Sequence, residues 1–118
     1  MSESVSPKRV ALAATLDVVA VVAFVVIGRR NHHEGEAVAG VVRVATPFLI
    51  GLAVGWVVAR AWKAPTSTTT GMVIWPSTVV VGMLLRHFAF NDGTALAFII
   101  VATIFTGLLL VGWRALYR

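Results

Sequence analysis

Four long apolar stretches take up most of the chain. They run from Val10 to Gly28, Val44 to Trp62, Gly71 to Leu85 and Ala95 to Trp113. A helix needs about 20 apolar residues, within a range of about 17–25, to cross the hydrocarbon core of a bilayer. The first, second and fourth stretches meet that length. The third is shorter, but Phe88 and Phe90 follow it and Arg86 can snorkel, so it too can span. The sequence therefore predicts an all-α integral membrane protein. Its four transmembrane helices, at about 10–28, 42–62, 71–88 and 94–114, form one small bundle over residues 1–118. Alternating ten-residue segments of the kind that build a transmembrane β-barrel do not occur.

Composition excludes the competing classes. Hydrophobic residues make up 58% and charged residues 13% of the chain, against about 45–50% and about 25% in a soluble domain. A chain of 118 residues cannot bury that much apolar surface against itself. The net charge of +5 would point to nucleic acid in a soluble protein. Here the basic residues stand at the ends of apolar runs, where they orient a membrane protein and meet lipid headgroups. The expected partner is thus the lipid bilayer and not nucleic acid. The chain has no cysteine, which removes disulfides, thiolate metal sites and thiol catalysis. The polar first eight residues resemble the start of a signal peptide, but the apolar run that follows ends in Gly28-Arg29-Arg30 without a small-residue cleavage site. An uncleaved helix is expected.

The connections, 29–43, 63–70 and 87–94, are too short to hold a domain. Lys8, Arg9, Arg60, Lys63, Arg114 and Arg118 fall on one side of the predicted bundle, and Arg29, Arg30, Arg43 and Arg86 on the other. That excess places both termini in the cytoplasm of a multi-pass cell (inner) membrane protein. Pro47 and Pro76 are expected near helix starts, where proline costs little.

Two helices carry small residues at four-residue spacing: Gly51, Gly55 and Ala59 in the second, and Ala102 with Thr106 and Thr103 with Gly107 in the fourth. Such faces let backbones approach closely in lipid. They fit packing within one bundle, and equally a homo-oligomer or a larger membrane complex.

Asp17 is the one acid inside a predicted span. A charge at mid-membrane costs about 2.5–3.5 kcal/mol on insertion scales, and such residues usually face a bundle interior or a watery cavity. Counting equal depths along the other helices brings Trp56, Ser77, Thr78 and Thr106 to its level. This intramembrane polar site has two readings: buried hydrogen-bonding glue to Thr78 or Thr106, or a proton- or cation-coupled site. A second cluster, Arg29, Arg30, Arg43, Arg86 and His87, gathers at the opposite membrane boundary with His32 and His33. It reads as interfacial snorkelling, or as a site for an anionic headgroup or substrate. The adjacent loop histidines lack the i, i+4 spacing of a metal-binding helix face, so no metal and no cofactor is expected. No nucleotide loop, zincin helix or esterase elbow occurs, and no catalytic residue is assigned.

Taken in order, Asp17, Phe24, Gly28-Arg29, His32 or His33, Pro47-Phe48, Gly51, Gly55-Trp56, Trp75, Thr78, Gly82-Met83, Arg86 and Gly112-Trp113-Arg114 form a recognisable pattern. It resembles a family of small four-helix membrane proteins of actinobacteria, domain of unknown function 3054. The resemblance covers roughly residues 10–114 and implies an inner-membrane protein with four spans. It implies no reaction. In layout alone the chain is similar to small multidrug transporters, which also place one membrane carboxylate in helix one. Arg86-His87 followed by Asp92 is similar to a segment of succinate dehydrogenase membrane anchors, although the upstream haem-ligand histidine is missing. Three functions follow as expectations. The first is a non-enzymatic accessory or assembly subunit acting through helix–helix contacts. The second is a small transporter or channel using Asp17. The third is a haem- or quinone-interacting anchor.

Overall fold

A computed structural model of the chain describes residues 5–29, 37–92 and 94–117. Helix α1 covers Pro7–Arg29 and α2 covers Ala37–Ala59; α3 covers Thr68–Phe88, α4 Leu96–Leu110 and the short α5 Gly112–Leu116. A single 3-10 turn, Ala61–Lys63, lies between α2 and α3. Among the described residues there is no strand. The chain is an all-helical bundle with four helices long and apolar enough to cross a membrane, α4 and α5 together supplying the fourth. Each helix packs mainly on two neighbours: α1 on α2 and α4, and α3 on α2 and α4. One end of the bundle gathers the start of α1, the α2–α3 connection and α5. We refer to it as the terminal end, and to the other as the distal end.

Two features of the spans differ from the sequence-based expectation. Pro47 and Pro76 lie inside α2 and α3, not at their starts. The residues ahead of each proline are themselves good helix or cap material. Ala37–Val44 extends α2 backwards, and Ser67 caps α3 by accepting the Thr69 N–H at 3.2 Å. A membrane helix tolerates an internal proline when nearby hydroxyls and neighbouring helices satisfy the disturbed carbonyls. The prolines withhold an N–H from Arg43 O and Met72 O, and the hydroxyl beside each proline bonds the adjacent carbonyl of the same turn: Thr46 donates to Val42 O at 2.6 Å and Ser77 to Val73 O at 2.9 Å. The second difference is the end of α2. Arg60 adopts a left-handed backbone (φ 52°), which stops the helix at Ala59 and turns the chain into the 3-10 segment.

The tightest packing is between α2 and α3. A Cβ added at Gly51 would stand 2.7 Å from Thr78 O, and one at Gly55 would stand 3.1 Å from the Cα of Ile74. Only glycine allows the two backbones to meet this closely, which is how helices gain contact in lipid. Gly82 makes room in the same way for the Phe48 ring. That ring belongs to an aromatic centre shared by three helices: Phe24 lies 5.6 Å from Phe48 and 6.1 Å from both Phe98 and Phe105, centroid to centroid. Such edge-on and tilted pairs add about 0.5–1.5 kcal/mol each beyond burial alone.

Outward faces stay apolar. Val57, Val58, Leu96 and Leu108 are each more than 60% exposed. In water such a surface would drive aggregation; in a bilayer it is the surface the lipid requires.

Candidate functional site: a buried carboxylate clamp

Asp17 stands ten residues into α1, yet the start of that helix overshoots the packed bundle. Residues Pro7–Arg9, Ala11 and Leu12 are exposed, and Ala13 is the first fully buried position. The carboxylate therefore lies level with the ends of the other helices at the terminal end, roughly one turn inside.

Four donors converge on it. Arg114, on α5, grips it in a bidentate fork, with Nη1 2.8 Å from Oδ1 and Nη2 2.7 Å from Oδ2. The indole of Trp56, on α2, donates to Oδ2 at 2.8 Å, and that of Trp113, on α5, donates to Oδ1 at 2.9 Å. Each carboxylate oxygen thus accepts two hydrogen bonds, which uses the whole acceptor capacity of the group. Both side chains of the ion pair are 0% exposed.

The arginine is held as firmly as the acid. Its Nε donates to Pro65 O at 2.9 Å and its Nη1 also to Leu110 O at 2.9 Å. Its guanidinium lies 4.5 Å from the centroid of the Trp113 ring, a cation–π distance. Gly71 on α3 opens the space for its stem, since a Cβ there would come 3.0 Å from Arg114 Cδ. The Thr70 hydroxyl, donating to Ala64 O at 2.7 Å, secures the linker that presents Pro65. One group of contacts thus joins α1, α2, the α2–α3 linker, α3 and α5.

Of the residues expected beside Asp17, the structure brings only Trp56 to it. Ser77, Thr78 and Thr106 turn their hydroxyls to Val73 O, Ile74 O and Ala102 O of their own helices. This four-residue back-bonding is the usual resort of a hydroxyl inside a helix. Arg114, Trp113 and Pro65 were not expected at the site.

The basic cluster at the distal end is only partly brought together. Arg43 pairs with Asp92, with Nε 3.1 Å from Oδ2, and donates to Phe90 O at 2.8 Å. The Arg86 guanidinium lies over the Phe98 ring at 4.5 Å. His87 is exposed and stands edge-on to Phe88. Arg29 is the last residue of α1, and Arg30, His32 and His33 lie outside the described residues. Among the described residues no three histidines or carboxylates gather as metal ligands would.

The small residues pack within the chain. Gly51 and Gly55 meet α3, Gly107 lies under the Trp75 ring, Ala102 is buried and Ala59 is half-buried. The Trp75 indole donates to Thr103 O at 2.8 Å, tying α3 to α4.

The comparison with protein families gives one match. A family described as "Protein of unknown function (DUF3054)" matches residues 14–117. The chain belongs to this family. The DUF3054 match takes in every residue of the clamp, from Asp17 to Arg114. No curated protein and no solved structure is significantly similar to the chain.

Proposed function

We propose that this DUF3054 protein is a multi-pass inner-membrane protein with both termini cytoplasmic. In this reading it acts as a non-enzymatic accessory or assembly subunit through helix–helix contacts, in a homo-oligomer or a larger membrane complex. The observation that carries the proposal is the saturation of Asp17: four donors of its own chain occupy it, and no solvent reaches it. The hydroxyls nearest the bundle centre are likewise committed to their own helices. What remains for work outside the chain is its outer surface. The test is native mass spectrometry of the protein purified in mild detergent from its own membrane. A defined homo-oligomer or a reproducible partner is expected; a lone monomer with nothing bound would overturn the proposal.

The runner-up is a small ion-coupled transporter using Asp17. Its support is the placement of a carboxylate among the spans, behind Trp56, which is itself half-exposed. It requires the Arg114 pair to open during the cycle. It predicts pH-dependent flux in liposomes that is lost in Asp17→Asn, and flat traces across a broad ion panel would retire it. A haem- or quinone-interacting anchor draws no support from His87, exposed beside Phe88.

A further inference from the structure

A groove runs between α1 and α2 on the outer surface. Ala14 and Val18 line it from α1, and Leu49, Leu52, Ala53 and Trp56 from α2; its volume is about 420 Å³. The lining is apolar throughout apart from the edge of the Trp56 ring. An aqueous substrate has nothing there to bond.

The groove runs toward the terminal end of the bundle, where four exposed cationic side chains lie along the chain beyond its lining residues. Arg60 lies one helical turn beyond Trp56, about 6 Å at the rise of a helix, and Lys63 follows in the 3-10 turn. Lys8 and Arg9 stand on the overshooting start of α1, about one and a half turns beyond Ala14. All four side chains are exposed. Only two acids are described: Asp17, consumed by Arg114, and Asp92, consumed by Arg43 at the distal end. Among the described residues, the terminal end therefore presents cations with no carboxylate to neutralise them. Trp62 and Tyr117, 45% and 38% exposed, stand at the same end, as aromatic side chains do at headgroup level.

From this continuity we infer that the α1–α2 groove is a binding site for one anionic phospholipid. An acyl chain lies along Ala14, Val18, Leu49 and Ala53, and the phosphate is held by Arg60 and Lys63. The charge complementarity selects the lipid, because a zwitterionic headgroup gains little from a rim whose described charges are all cationic. The inference is independent of the accessory role proposed above.

The test uses the full chain, delipidated in mild detergent and offered equal amounts of phosphatidylglycerol and phosphatidylcholine, with bound lipid read by native mass spectrometry. One phosphatidylglycerol is expected to stay bound in clear excess over phosphatidylcholine. Each basic residue near a membrane surface is worth roughly fivefold in anionic lipid binding. The double variant Arg60→Asn, Lys63→Gln should therefore lower the preference by about 10-fold or more. Asparagine is chosen because it tolerates the left-handed backbone at position 60. Ala53→Phe, at an exposed position that lines the groove, should lower retention of both lipids. Raising the salt concentration on the unaltered chain should erase the preference without touching the fold. Equal retention of the two lipids by the unaltered chain, or an unchanged preference in the double variant, overturns the inference. So does an Ala53→Phe chain that loses a dimer mass and not a lipid, since the groove would then seat a second copy.

Discussion

Replacing Arg114 by Met tests the clamp most directly. The substitution keeps an unbranched apolar stem against Gly71 and removes the fork. It leaves Asp17 buried with two indole donors and no counter-charge, and it strips Pro65 O and Leu110 O of their donor. Breaking one partner out of a buried ion pair costs about 3–5 kcal/mol. Asp17→Leu should cost a similar amount, because it strands the guanidinium. The double variant should be milder than the sum, since no unpaired charge remains. It should not return to the original stability, because the N–H groups of Trp56 and Trp113 then lack acceptors. Each orphaned donor costs about 1–3 kcal/mol in a dry protein interior, and less where lipid-embedded chains find substitute partners. A double variant destabilised by about 2–4 kcal/mol, with a coupling above about 2 kcal/mol, is the expected result. Reversible unfolding in SDS, followed by far-UV circular dichroism over the four chains of the cycle, measures it. An Arg114→Met chain within about 1 kcal/mol of the original, or strictly additive singles, would refute the reasoning.

Other substitutions divide cleanly. Gly51→Ala drives a methyl group to 2.7 Å from Thr78 O, so α2 and α3 must separate at a cost of about 1–3 kcal/mol. Gly112→Ala meets nothing within 4 Å and should leave stability unchanged or slightly raised; SDS unfolding compares the two glycines. Trp75→Phe keeps the ring over Gly107 but deletes the donor to Thr103 O, and should cost about 1 kcal/mol in the same assay. Arg43→Gln, removing a pair whose arginine side chain is 56% exposed, should cost under about 1 kcal/mol and be weaker still at high salt.

The four spans are legible in the sequence because lipid demands long, uninterrupted apolar segments and punishes anything else. The Asp17–Trp56 contact is legible because depth counted from one boundary brings both residues to the same level, and the packed ends of α1 and α2 keep them there. Arg114 is not, since a cation in the last turn of a span reads the same whether it snorkels outward or folds back onto a carboxylate. The register of α1 hid it further. Depth counted from Val10 placed Asp17 opposite Thr78 and Thr106, but the first turns of α1 run past the bundle and lift Asp17 to the level of Arg114 and Pro65. Ser77, Thr78 and Thr106 stand inside helices, where a hydroxyl ordinarily bonds the carbonyl four residues back, and that preference keeps them from Asp17. One clue was present. An acid inside a span calls for a cation, and Arg114 follows a helix that carries none of its own.

The two halves of the clamp are separated by 97 positions along the chain. A ribosome releases Asp17 long before it makes Arg114, so α1 must enter the bilayer with its carboxylate unanswered. The last turn of the last helix then closes the account. Every translation product that stops short of residue 114 carries an orphan charge in its first span.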